Sequence, residues 1–562
     1  MKIDDAKLLE ILEKESYVAA EEIKKAAQFI KDHETSATDY LLTAGLVTTD
    51  LLGQAISESL KVPFADLDSR PPANDLVSRL PASFARKYRV VLFDEDPKSV
   101  TLASDDPLDK KYQAEAKSIF SKKKVIFAYG NPGAIDEVLL SYRKPLDTQT
   151  NQIIKSGERV APAIIDAIID DALAFRASDI HIEPGEDEVV IRLRVDGLLQ
   201  EAGRLSLDFY ENILNRIKVQ TQMRIDEHAS AQDGAMRYEK DGHIIDLRVS
   251  IAPILTGEKV VMRVLAEYVR SFGLGNLGLT ADQQNMFLSS GKKPFGMIMV
   301  TGPTGSGKTT SLYSLIKLLN KPEVNITTIE EPVEYKIPGI NQIQVNKQTN
   351  LTFAEGLKSI VRQDPDIILV GEIRDEETSQ IAVNAALTGH LLLTTFHAND
   401  AATAIPRLLD MGIEPFLLAS TLELIVAQRL VRKICANCRY SQTVPLAQIE
   451  EKLPGAKNFF DEKMVTLYAG KGCKACNGNG FKGRTAVFEF IHISNNLKEL
   501  ILTNPSNKDV VELARQEGTA SMFEDGLDKV KNGITTLGEL LRVTEPPTYI
   551  NVKKAKPKTR KK

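Results

Sequence analysis

A chain of 562 residues has room for three or four domains of ordinary size, each with a buried core. With 43% hydrophobic and 26% charged residues, no Trp and a net charge of −5, the composition is that of a soluble protein and supplies no global attraction for nucleic acid. The N-terminal MKIDDAKLLE lacks the apolar core of a signal peptide, and no window reaches the roughly eighteen apolar residues of a membrane span, so the expectation is a cytoplasmic protein that meets any membrane through a partner.

Residues 1 to about 60 read as short amphipathic helices, and Leu12–Ala27 loosely echoes Leu41–Ile56 as a tandem repeat would. From Val62 to about Tyr142, strand-like runs such as Val90-Val91-Leu92-Phe93 and Val125-Ile126-Phe127 alternate with helical stretches, which predicts a small α/β domain. Residues 1–145 are taken together as an N-terminal region and 146–158, a polar stretch, as a linker. In 159–270, a helix over Ala161–Phe175 precedes Ala177-Ser178-Asp179-Ile180-His181-Ile182-Glu183-Pro184 and the alternating strand Val190–Val195. Arg192 and Arg194 share one face of that strand, because side-chain direction repeats every two residues. Arg248 and Arg263 fall on further short β runs. Each arginine alone reads as a solvated strand face; their recurrence beside a phosphate-binding domain reads as γ-phosphate sensing.

That phosphate-binding domain, 271–545, is announced by Gly302-Pro303-Thr304-Gly305-Ser306-Gly307-Lys308-Thr309, followed by Thr310, which meets every position of G-x-x-x-x-G-K-[ST]. The strand-like Met297-Ile298-Met299-Val300 precedes it, and Leu312, Leu315, Ile316 and Leu319 follow at helical spacing. Glycines let backbone approach phosphate, Lys308 suits the β- and γ-phosphates of ATP, and the Thr309 hydroxyl suits Mg²⁺. Downstream lie the carboxylate cluster Glu330, Glu331 and Glu334, and Glu372 at the end of the apolar run Ile367-Ile368-Leu369-Val370. Phosphoryl transfer needs one acid for the metal's shell and another to orient water, and Glu372 and Glu334 are the candidates. His390 and His397 are seven apart; on a regular strand they sit on opposite faces, roughly 23 Å from each other, and cannot grip one atom. Cys435, Cys438, Cys473 and Cys476 form two C-x-x-C pairs, which suit a closed structural Zn²⁺ site, with an iron–sulfur cluster as the alternative. The intervening 439–472 is expected to be an excursion with a small core of its own. The tail 546–562, with seven Lys/Arg in its last ten residues, reads as a disordered end.

The stretches GPTGSGKTT, TIEEPVEY, LVGEIRDEET, ALTGHLLLTTFHANDA, ASDIHIEP and the CxxC–GCKACNGNGFKGR pair, which together cover about residues 160–545, resemble the secretion ATPase superfamily of type IV pilus assembly and type II secretion motors. The resemblance implies a RecA-like P-loop motor with a zinc insertion at 435–476, preceded by a PAS-like α+β domain and a small N-terminal helical and α/β domain. It implies ATP hydrolysis with ATP, Mg²⁺ and Zn²⁺, a homohexamer, an inner-membrane pilus platform protein and cytoplasmic accessory proteins as partners, and no nucleic acid. Glu330, Glu331 and Glu334 map to the family's acidic box, Glu372 to its Walker B acid, His390 and His397 to its histidine box, and Arg248 and Arg263 to its arginines. Two departures stand out. Glu331 replaces the usual aspartate, and Gln232-Asp233-Gly234-Ala235 lacks the usual closing arginine, for which Arg237 is a substitute. The N-terminal region resembles a domain that binds cyclic di-GMP in some members, without the R-L-G that opens that motif.

Overall fold

The computed structural model describes residues 5–33, 37–43, 46–139, 142, 146–156, 160–240, 243–265, 273–346, 349–473, 476 and 478–547. The last two linker residues and tail residues 548–562 lie outside them. The described residues divide into two compact units, one of 53–265 and one of 5–52 with 273–547.

The first unit opens with a three-stranded sheet. β1 (Val90–Glu95) pairs antiparallel with β2 (Ser99–Ser104), which pairs parallel with β3 (Lys124–Tyr129). A parallel pair needs a crossover, and the helix Lys110–Ile119 supplies it, started by Asp109, whose carboxylate accepts the N–H groups of Lys111 and Tyr112. A larger antiparallel sheet follows: β4 (Asp179–Pro184), β5 (Glu188–Val195), β6 (Leu198–Ser206), β7 (Gln232–Lys240), β8 (His243–Ile254) and β9 (Gly257–Leu265), in the order β6-β5-β4-β9-β8-β7. Period-two alternation sorts its faces. Ile180, Ile182, Ile191, Leu193, Leu247, Val249, Val260 and Met262 share a core with residues of the helices Val160–Ala174 and Tyr210–Gln220. The other face carries the strands' charged residues, except Glu258, which shares the buried face with Val260 and Met262.

Residues 146–156, expected as part of a linker, form the helix Leu146–Ser156. Their composition is polar, but Leu146, Ile153 and Ile154 recur at i, i+7 and i+8 and join that core. The stripe is narrow enough for polarity to mask it.

In the second unit the helices Asp5–Lys14, Ala20–His33 and Ala37–Thr43 pack on each other through Leu8, Leu12, Ile23, Ala26 and Leu41. The rest is built on β10 (Gly296–Thr301), β11 (Ile326–Glu330), β12 (Asn341–Gln344), β13 (Ile367–Val370), β14 (Leu391–Phe396), β15 (Leu422–Ile434), the hairpin β16 (Arg439–Pro445) and β17 (Met464–Gly470), and β18 (Phe481–His492). Seven strands make one sheet, β12-β11-β13-β14-β10-β15-β18, parallel except for β18. Every residue of β10, β13 and β14 is buried, as strands covered on both faces require. Parallel strands end on one edge, so the segments after β10, β11, β13 and β14 gather there.

The excursion is less independent than its sequence suggests. Ile449, Leu453, Ala456, Phe460 and Val465 belong to the same core as the central strands, and the Phe459 ring packs at a tilt against Phe523 of the helix Met522–Lys531, centroids 5.1 Å apart. Its apolar residues are too few to close a core alone, so they complete the larger one.

One buried ion pair braces the first unit. Lys218 is 0% exposed, and its Nζ lies 2.7 Å from Glu258 Oε1 and 2.7 Å from the Glu227 carbonyl, while His228 Nδ1 meets Glu258 Oε2 at 2.7 Å. Glu258→Ala strands the lysine charge in the core and should cost about 3–5 kcal/mol in urea denaturation. A loss below about 1 kcal/mol would mean that water reaches the pair.

Candidate active site and metal centre

β10 runs into the glycine loop with no slack. Gly302, Gly305 and Gly307 take φ of +147°, +77° and +88°, the region where a side chain is strained. Gly307 is the residue before the helix Lys308–Leu319, and no side chain caps that helix start. Its first N–H groups therefore remain available to an anion. Ser306 Oγ is buried with no partner. Lys308 is 9% exposed and donates to the carbonyls of Gly302 at 2.9 Å and Pro303 at 3.2 Å. Burial pushes its pKa below the ordinary lysine range, and the nearby Glu372 opposes that shift. Pro303, Thr304 and Gly305 form the exposed tip; Thr309 and Thr310 lie half-buried in the first helical turn. Left-handed glycines, an uncapped helix, an orphaned hydroxyl and a cation suit the phosphates of a nucleotide.

The acids fall into two groups. Glu372 follows β13; one carboxylate oxygen pairs with Arg374, and the other meets His397 Nε2 at 3.0 Å. Arg374 reaches on to Glu331 Oε2 at 3.3 Å, and Arg407 donates to the His397 carbonyl. This chain brings Glu331, Arg374, Glu372, His397 and Lys308 to one edge. Glu330 belongs to the second group: it ends β11, is 2% exposed, and accepts the hydroxyls of Tyr313 and, at 2.6 Å, Thr328. Burial pushes its carboxyl above the usual range, against the lowering effect of those bonds. The Glu334 N–H reaches the same Tyr313 hydroxyl, so Tyr313 ties the loop's helix to the acidic segment. A buried Glu330 has no free oxygen for water or metal; Glu334 is only half-buried.

His390 does not join this edge. It precedes β14 while His397 follows it, and its Nδ1 meets the Ala385 carbonyl at 2.8 Å. The strand between them places it at the opposite end of the sheet. Arg248 and Arg263 stand directly opposite each other on β8 and β9, and Arg263 Nε lies 3.2 Å from Asp179 Oδ1. Arg194 approaches the other Asp179 oxygen at 3.5 Å. Arg237, the substitute arginine, is engaged by Asp246 at 2.8 Å, and Ala235 is the residue across from Arg248. Sequence reasoning missed Arg374, Tyr313 and Gln428. Arg374 stands two residues from Glu372, and Gln428 interrupts the apolar run of β15; either was a readable signal. Tyr313 gave none, since its position reads as ordinary helix core.

The four cysteines converge. Sγ atoms of Cys435 and Cys473, of Cys438 and Cys476, and of Cys473 and Cys476 lie 3.8, 3.8 and 3.7 Å apart, and all four lie within 4.8 Å of one another. A tetrahedron with metal–sulfur bonds of about 2.3 Å has edges of about 3.8 Å, the zinc–thiolate geometry. Burial pushes the Cys435 and Cys438 thiols up. Burial acts the same way on Cys476, but the N–H groups of Cys473 at 3.1 Å and Gly480 at 3.3 Å bring it below the usual range. The residues fit one structural Zn²⁺ with no open position. Cys435 directly follows β15 and Cys438 directly precedes β16, with Cys473 and Cys476 between β17 and β18, so a metal here pins four strand ends. Elemental analysis should find about one zinc per chain. Cys473→Ser should release it and open 471–480 to protease, while the glycine loop still binds ATP; a metal-free protein protected in that stretch would contradict the assignment.

Residues 155–542 match the type II/IV secretion system protein family, and residues 60–149 match the MshEN domain. The type IV pilus assembly ATPase PilB of Myxococcus xanthus is 35% identical, over 97% of this chain and 100% of that protein. Its namesake in Thermus thermophilus is 36% identical over 90% of this chain, which spans 59% of that longer protein. The type II secretion system ATPase E of Vibrio cholerae is 39% identical over 84% of this chain and 98% of its own length. Among solved structures, the Legionella pneumophila ATPase DotB shares the fold, with a TM-score of 0.51 at 22% identity over 68% of this chain and 95% of that one. Family match, end-to-end relatives and the glycine-loop edge agree: the chain belongs to the type II/IV secretion system protein family of pilus-assembly and secretion ATPases.

Proposed function

We propose that this protein is an ATP-hydrolysing motor of type IV pilus assembly, working as a homohexamer against an inner-membrane platform protein, with cytoplasmic accessory proteins as further partners. The observation that carries the reading is the alignment with the Myxococcus xanthus pilus assembly ATPase, which runs through 97% of this chain and all of that protein. Among the described residues no helix is long and apolar enough to cross a membrane.

In this reading Lys308 swings from the Gly302 and Pro303 carbonyls to the β- and γ-phosphates of ATP. Thr309 and Glu372 would hold Mg²⁺, which supplies charge neutralisation on the phosphate oxygens. His397 and Arg374 fix the Glu372 carboxylate so that it presents a set orientation. Glu334, half-buried where Glu330 is sealed, orients the attacking water. Arg248 and Arg263 act when the arginine-bearing sheet closes on a motor domain. Their charge matters most as negative charge grows on the γ-phosphate.

A second reading, the type II secretion motor, is favoured by the 39% identity to the Vibrio cholerae secretion ATPase. A deletion strain separates the two. Loss of surface pili with protein export intact supports pilus assembly, and the reverse result supports secretion.

The site assignments have their own tests. Lys308→Ala should abolish most ATP turnover and phosphate-dependent affinity, because the loop lysine supplies the mobile charge; wild-type turnover would overturn the site. Glu334→Gln should keep nucleotide binding and slow turnover by about 10²–10⁴-fold. Near-normal turnover would move the water-orienting role to Glu372. Arg248→Ala and Arg263→Ala should depress kcat far more than affinity, read from steady-state kinetics beside equilibrium binding; an effect on affinity alone would contradict a transition-state role.

A further inference from the structure

We infer that Gln428 is a positioning residue of the phosphate-binding loop, a template on β15 that sets the direction of the loop's amides. The inference rests on the nucleotide reading of the loop and adds a residue that lies outside its motif. Gln428 is 1% exposed, on a strand whose neighbours in sequence, Ile425, Val426, Ala427 and Leu430, are apolar. A buried primary amide is costly unless its donors and acceptor find partners. Here both ends do. Nε2 donates to the Ser306 carbonyl at 2.6 Å, and Oε1 accepts the Ser311 hydroxyl at 2.7 Å. Because a carbonyl can only accept, the amide has one admissible orientation.

The consequence follows from peptide geometry. The Ser306 carbonyl and the Gly307 N–H belong to one planar trans unit and point in opposite directions. Drawing that carbonyl inward onto Gln428 aims the Gly307 N–H away from β15, toward the mouth of the loop. The Ser311 bond fixes the far end of the amide to the second turn of the same helix, whose N–H in turn reaches the Gly307 carbonyl at 3.1 Å. One side chain thus holds the loop and its helix in a single register.

The loop glycines fit this template. A Cβ on Gly307 would stand 3.1 Å from Gln428 Nε2, and one on Gly302 would stand 2.5 Å from the backbone carbonyl oxygen of the same residue. The β15 backbone therefore excludes a side chain at Gly302, and the Gln428 amide lies close beneath Gly307. β10 and β15 are paired through Thr301 and Ala427, so the template is anchored one residue from where the loop leaves the sheet.

Gln428→Met keeps the length of the side chain and removes its donor and acceptor, and Ser311→Ala frees one end of the amide only. The probes are methylanthraniloyl-ADP with Mg²⁺, and tripolyphosphate as a competitor that carries the phosphate chain without the base. Gln428→Met should weaken both by about 10- to 100-fold, the effect of losing a buried hydrogen bond and leaving a carbonyl unpaired. Ser311→Ala should weaken both by about threefold, on the scale of one neutral hydrogen bond. KM for ATP should rise with the loss of affinity while kcat at saturation changes by less than about threefold, since ground and transition states sit on the same loop. Zinc content should stay at wild type, and the melting temperature should fall by only about 2–10 °C. Folded Gln428→Met with wild-type affinity, or with loss for the nucleotide but not for tripolyphosphate, would overturn the inference. Should Gln428→Met fail to fold, Ser311→Ala decides alone: weakened tripolyphosphate binding supports the template, and unchanged binding overturns it. Failure of the wild-type protein to bind either probe would instead bring down the nucleotide reading itself.

Discussion

The N–H groups that open the helix Lys308–Leu319 have no side-chain acceptor, and the left-handed Gly307 before them offers none. That deficit is the constraint on which the rest of the second unit depends. A helix start is electropositive and needs an anion, water or a cap. Only a strand buried on both faces can aim such a start at one point and keep it there, which is what β10 does between β14 and β15. Because its neighbours on one side are parallel, the segments carrying Glu372 and His397 emerge at the same edge, and the acids meet the loop without any long-range folding of their own.

The first unit solves a different problem with the same period-two rule. Its apolar residues point to one face and find the helices; the charged ones, Glu258 apart, are left on the other. Across β5, β4, β9 and β8 this leaves a row of Arg194, Asp179, Arg263 and Arg248, read directly from the pairing register. One carboxylate among three guanidinium groups leaves net positive charge. Asp179 orders two of the arginines without neutralising the row, and such a row suits a partner that brings negative charge.

What was legible in the sequence was whatever one short stretch encodes by itself. The glycine loop and the cysteine pairs need particular residues at fixed spacing, so the residues alone imply the geometry. The seven-residue interval between His390 and His397 was enough to separate them, and β14 does so. What escaped was set by packing between distant segments. The helix Leu146–Ser156 hides behind polar composition, because three apolar residues over eleven suffice to dock it. The 439–472 excursion has no private core, since its apolar residues find the Met522–Lys531 helix some sixty residues on. Glu330 and Glu334 look alike in sequence and differ because the first ends a buried strand, where Thr328 and Tyr313 occupy its carboxylate, and the second lies beyond that strand.

Gln428 and the cysteine cluster share a strand. β15 runs from Leu422 to Ile434, carries the loop's amide partner midway, and ends on the residue before Cys435. Beyond the loop, β15 is paired with β18 as far as Ile434 and Phe481, so the two strands that flank the thiolates are hydrogen-bonded to each other. A tetrahedral metal at that end would fix four strand termini. A metal held there would order that end of β15, while the Ser306 carbonyl keeps its own partner in Gln428 midway along the strand.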